Sequence, residues 1–166
     1  MRVHHSFGPA IVLFIVAFAS PASAQSWLPS NLHVEPIYRE LVESMAEQSP
    51  TFRMQLARIA VERGLTIDVG VVPRVIGARA RTRMVRQANG LAAYIEVARF
   101  ENLVELIAHE IEHVIEQIDR VDLAAGAALS DAEIYSVSTS GTVFETARAA
   151  RAGVNVSQEI RTARRD

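Results

Sequence analysis

Residues 103–118 read Leu-Val-Glu-Leu-Ile-Ala-His-Glu-Ile-Glu-His-Val-Ile-Glu-Gln-Ile, and the fold is read outward from them. Leu103, Val104, Ile107, Ile111, Val114, Ile115 and Ile118 recur at the three- and four-residue spacing of a helix. At 100° per residue they form one continuous apolar arc. Asn102 stands at the N-cap position. His109 and His113 lie on the flank of the arc, about 40° apart. Glu110 falls between that pair and the core, while Glu105 and Glu112 fall on the outer face. Such a helix buries one side and offers its His pair to an edge or a cleft.

The flanking sequence supplies the other elements. Ile37, Leu41, Val42 and Met45 predict a helix over 36–48. Ser49-Pro50 is an N-cap followed by Pro at the first helical position, and opens a second helix to about 63. Its core stripe is Phe52, Leu56, Ile59 and Ala60, and Gly64 stops it. The period then changes. Leu65, Ile67, Val69 and Val71 alternate, as in a half-buried strand over 65–72. A polar strand over 81–86 and a third over 91–97 flank Asn89-Gly90, a strong hairpin signal. After the central helix, a short helix is expected from Ser130 and a last one from Thr142 to about Gly153, with an Arg-rich tail after Val156 that is frayed or only partly helical. Residues 25–34 read as an irregular lead-in. The expected class is α+β: N-terminal helices, a small antiparallel sheet, the His-bearing helix and C-terminal helices.

Composition narrows the function classes. At 166 residues one domain is expected, and 49% hydrophobic with 22% charged residues is ordinary for a globular chain. The formal charge of −2 argues against a nucleic-acid partner. Arg2, the apolar run from Ala10 to Ala19 and Ala22-Ser23-Ala24 have the form of a secretory signal peptide over 1–24, with cleavage before Gln25. The run is too short to span a bilayer as a helix. The expected mature chain, 25–166, is a single domain with no membrane span, periplasmic or secreted from a bacterium. There is no Cys, so neither a disulfide nor lipid attachment through cysteine is available. His4 and His5 leave with the leader, and only His33, His109 and His113 remain. His33 is expected to be structural or exposed.

His109-Glu110-Ile111-Glu112-His113 is the H-E-x-x-H pattern. Residues four apart on a helix sit one above the other, so two imidazoles can close on one zinc ion at about 2.0–2.1 Å each. Sheet, then His-bearing helix, over about 65–153, resembles the zincin metallopeptidases. The resemblance implies zinc ligands His109 and His113 and a general base Glu110, which moves a proton from the attacking water to the leaving amine. It also implies a peptide or protein substrate, held extended by a hairpin strand near 81–87 or 91–97.

A third ligand is needed. No further His follows the motif, so a carboxylate is expected, as in the gluzincin branch, where a later Glu serves. Glu133 lies 20 residues after His113, a spacing like that of thermolysin-type enzymes. Glu145 lies 32 residues after it. Ser130-x-x-Glu133 and Thr142-x-x-Glu145 both also read as capping boxes. Glu145 is preferred, because its segment is rich in small residues that pack closely. Phe144-Glu145-Thr146-Ala147 also resembles a stretch that follows the motif in small secreted bacterial H-E-x-x-H proteins. The Asp that usually follows the ligand Glu of thermolysin-type enzymes follows neither candidate.

Secondary candidates are Glu116, to orient a ligand His or to face solvent, and Tyr135, for an oxyanion or as an ordinary surface Tyr. Arg81, Arg83 and Arg86 are expected on one strand face, guarding an edge or favouring acidic peptides. Two functions are therefore carried forward. One is an exported zinc-dependent peptidase. The other is an inactive zincin-like module that binds zinc or a partner.

Overall fold

The computed structural model describes residues 27–129, 133–137 and 143–165. The leader expected over 1–24 and both cap residues, Ser130 and Thr142, lie outside them.

The expected α+β class holds. Strand β1 (Leu32–Val34) precedes helices α1 (Pro36–Gln48) and α2 (Pro50–Ala60). Strands β2 (Leu65–Val72), β3 (Ala80–Gln87) and β4 (Gly90–Ala98) lead into α3 (Leu103–Ile118). Helix α4 (Leu123–Ala128), strands β5 (Ile134–Ser136) and β6 (Phe144–Thr146), and α5 (Ala147–Ala163) complete the chain.

Local chemistry accounts for the boundaries. Ser49 accepts the Phe52 N–H at the start of α2, with Pro50 at the first helical position. Asn102 accepts from Glu105 at the start of α3. Gly64 and Gly90 both have positive φ, at 74° and 149°. A Cβ at Gly64 would lie 2.6 Å from the Asn89 carbonyl oxygen, so the α2–β2 corner and the hairpin turn meet backbone to backbone.

The principal sheet runs β1-β2-β4-β3. The β3–β4 hairpin is antiparallel with Arg81 opposite Glu96 and Gln87 opposite Gly90. The sheet as a whole is mixed, because β4 inserts between β3 and β2 and runs parallel to β2 with Leu65 opposite Leu91. The lead-in, expected to be irregular, contains a strand. Leu32 and Val34 are buried, and β1 pairs in parallel with β2.

Helix α3 lies between the sheet and the helices α1, α2 and α5. Ile107, Ile111 and Val114 of α3 join Ile67 and Ile95 of the sheet and Phe52, Ile59 and Val156 of the helices in one core. Burial on several sides explains why Glu112, expected on an outer face, is instead buried.

The C-terminal region departs most from the periodicity reading. Glu133 sits in a turn and Glu145 on β6, where helices were expected. The last helix begins at Ala147, capped by Thr146, and continues through Gly153 to Ala163. Gly153 is a site of close approach and not a stop: a Cβ there would stand 2.7 Å from the Glu105 carbonyl oxygen and 3.2 Å from His109 Cβ. The tail after Val156 continues α5 as far as Ala163, with Ser157 and Ile160 buried.

Candidate metal centre

The helical spacing of α3 stacks His109 and His113, whose Nε2 atoms are 3.1 Å apart. Glu145 arrives from β6 and places Oε2 3.0 Å from His109 Nε2 and 3.8 Å from His113 Nε2. His109, His113 and Glu145 thus form a half-buried group able to bind a metal ion. A tetrahedral ion with bonds of about 2.0–2.1 Å needs ligand atoms about 3.3 Å apart. The observed separations bracket that value, so the donor set fits such an ion.

His113 is oriented from behind. Its Nδ1 lies 2.9 Å from Glu116 Oε2, which keeps a proton on Nδ1 and turns Nε2 toward Glu145 and His109. Glu116 is only 2% exposed. Its other oxygen accepts the Thr146 hydroxyl at 2.6 Å. That hydroxyl in turn accepts the Ala149 N–H and caps α5. A single buried carboxylate therefore ties His113 on α3 to the residue after Glu145.

The electrostatics follow the contacts. Burial pushes the His113 imidazolium down, but hydrogen bonds with Glu116 and Glu145 and the charges of Glu110 and Glu116 outweigh it, lifting the pKa to about 9. Burial pushes the Glu145 carboxyl up, and its contacts with both His outweigh that and bring it to about 2. Glu110 is buried and held above the usual carboxylate range by that burial. The Thr82 hydroxyl, 2.6 Å from Glu110 Oε2, and the charges of His113 and His109 act in the opposite sense.

The other candidates lie elsewhere or take different roles. Glu133 forms an exposed ion pair with Arg151 at 2.8 Å and does not join the His pair. Tyr135 stands opposite Glu145 in the β5–β6 ladder and is half exposed. His33 is exposed on β1, 3.1 Å from Asp68. Arg81 pairs with Glu96 at 2.5 Å, and the Arg83 guanidinium lies 4.8 Å from the Tyr94 ring centre. Strand alternation puts Arg86 on the face opposite Arg81 and Arg83, so the three do not make one stripe.

Two features were missed by sequence reasoning. Thr82 could have been suspected from its position between outward-facing Arg81 and Arg83, but its meeting with Glu110 across 28 residues leaves no local signal. The buried Glu112 accepts from Gln55 at 2.7 Å and Arg148 at 2.6 Å, a link between α2, α3 and α5 that no spacing announces. Two cavities of about 340 and 380 Å³ lie at the β2–β3 loop and between α2, α3 and α5, lined by residues other than the three metal-binding candidates.

Comparison with protein-family models, with curated proteins and with solved structures finds no match to this chain.

Proposed function

We propose that the chain is an exported zinc-dependent peptidase, binding zinc through His109, His113 and Glu145 and using Glu110 as general base. The observation that carries this is three converging donor atoms separated by 3.0, 3.1 and 3.8 Å on the helix that bears a buried carboxylate. Two imidazoles and one carboxylate are the donor set of the gluzincin branch, and borderline-soft zinc suits it. Bound zinc supplies Lewis acidity, polarising a scissile carbonyl and acidifying a water. Glu110 takes the proton of the attacking water and delivers it to the leaving amine as the C–N bond breaks. The β3 strand, at the sheet margin, offers an edge on which an extended peptide can lie.

A module that holds zinc without turnover is the second reading. The low exposure of the His109 and His113 side chains, 14% and 12%, favours it. Elemental analysis of the exported protein beside His113→Ala, with Glu110→Gln assayed on a broad peptide library, separates the readings. The peptidase reading expects about one zinc per wild-type chain. It also expects a Glu110→Gln variant that keeps its zinc and loses turnover by at least about 100-fold. Wild-type protein that keeps zinc but cleaves no peptide favours the module. Absence of zinc from both proteins ends both readings.

A further inference from the structure

The β3–β4 register, together with the hydrogen bond from the Ala98 N–H to the Arg79 carbonyl at 2.9 Å, sets the phase of the hairpin ladder. Odd-numbered residues of β3 turn their backbone groups toward β4, and Thr82 turns its N–H and C=O toward the sheet margin. The Thr82 side chain points the other way from exposed Arg81 and Arg83, onto α3. Its hydroxyl donates to Glu110 Oε2 at 2.6 Å and also lies 3.3 Å from the Glu110 carbonyl oxygen. Among the described residues Thr82 is the donor to this buried carboxylate.

We propose that Thr82 is the positioning residue for Glu110: it holds Oε2, leaves Oε1 to meet the reacting groups, and joins the base to the strand edge along which substrate lies. The proposal rests on the reading of Glu110 as base. A glutamate carboxylate on three rotatable bonds samples several orientations, and a short bond to a β-branched residue on a paired strand removes that freedom. Val has the shape of Thr without the hydroxyl, and Ser has the hydroxyl without the methyl. Thr82→Val and Thr82→Ser therefore separate bonding from packing.

Two measurements on the zinc-loaded protein test it. In peptide cleavage, Thr82→Val is expected to lower kcat about tenfold or more, with KM and zinc affinity unchanged, and Thr82→Ser to stay within about threefold of wild type. The second measurement needs no turnover. Acetohydroxamate, which chelates zinc and shares a proton with a neighbouring carboxylate, is titrated calorimetrically. Thr82→Val and Glu110→Gln are each expected to weaken its binding about tenfold, and Thr82→Ser to restore it. Equal hydroxamate affinity in wild type and Thr82→Val overturns the proposal, whether or not the protein cleaves peptides. So does a wild-type protein that holds zinc and binds no hydroxamate, because Glu110 then does not face the ion. Failure of peptide cleavage alone, with the hydroxamate pattern intact, overturns the peptidase reading and leaves the role of Thr82 standing.

Discussion

At the scale of single residues, the candidate centre would couple protons to any metal ion it binds. The His113 pKa is lifted to about 9 by Glu116 and Glu145, so its proton occupies the metal-free protein at neutral pH. Its folded pKa lies above the unfolded value, so this contact stabilises the metal-free fold fully below pH 6.5 and the contribution fades as pH rises through about 9. The Glu145 carboxyl is depressed to about 2, so its contribution is present above pH 4.5 and fades as pH falls through about 2. An ion entering the site takes the Nε2 lone pair and must displace the His113 proton. Zinc uptake at about pH 7.5 is expected to release about one proton per ion from His113, with that share of the release vanishing above about pH 9.5. Calorimetry in buffers of different ionisation enthalpy measures it. Proton release that is nil across the range contradicts the role given to His113.

At the scale of elements, the third candidate ligand, Glu145, stands on a strand that runs directly into α5. Helix α5 comes close to α3 because Ala149, Ala152 and Gly153 line its buried face. The closest point is Gly153, against the Glu105 backbone and His109 Cβ. A methyl group there meets a carbonyl that belongs to the α3 ladder and cannot swing aside. Gly153→Ala is therefore expected to cost about 1–3 kcal/mol of stability despite the better helix propensity of Ala. It is also expected to weaken zinc binding about tenfold by shifting His109. Urea unfolding and competitive zinc titration check the two effects, and a variant more stable than wild type shows that the contact relaxes freely. Thr146 illustrates the same economy of placement. It caps α5, bonds Glu116 and follows Glu145, so one residue registers the strand, the helix and the centre together.

At the scale of the whole molecule, the centre joins α3, rooted in the core, to the C-terminal β6–α5 unit. Any ion bound by both stabilises the docked arrangement by mass action. With free zinc about 100-fold above Kd, the melting temperature is expected to rise about 5–10 °C, and a chelator to reverse it. A melting temperature indifferent to zinc shows that the three donors do not act as one site. Much of this architecture was legible from residues alone. Residues 103–118 carried the helix, its cap, its buried arc and the His pair, because helical spacing is a local property of the chain. Alternation over 65–72 and Asn89-Gly90 carried the strand and hairpin for the same reason. The C-terminal third was misread, because Glu145 owes its extended conformation to pairing with β5 and α5 owes its length to packing on α3. Local patterns cannot register contacts that form across tens of residues. The sequence alone determined the α+β class, the His109–Glu110–His113 helix and the short list of possible third carboxylates. Folding chose among the rest: it set Glu145 beside the two imidazoles, Glu133 on Arg151, Glu116 behind His113 and Thr82 on Glu110, since each meeting depends on where separate elements pack.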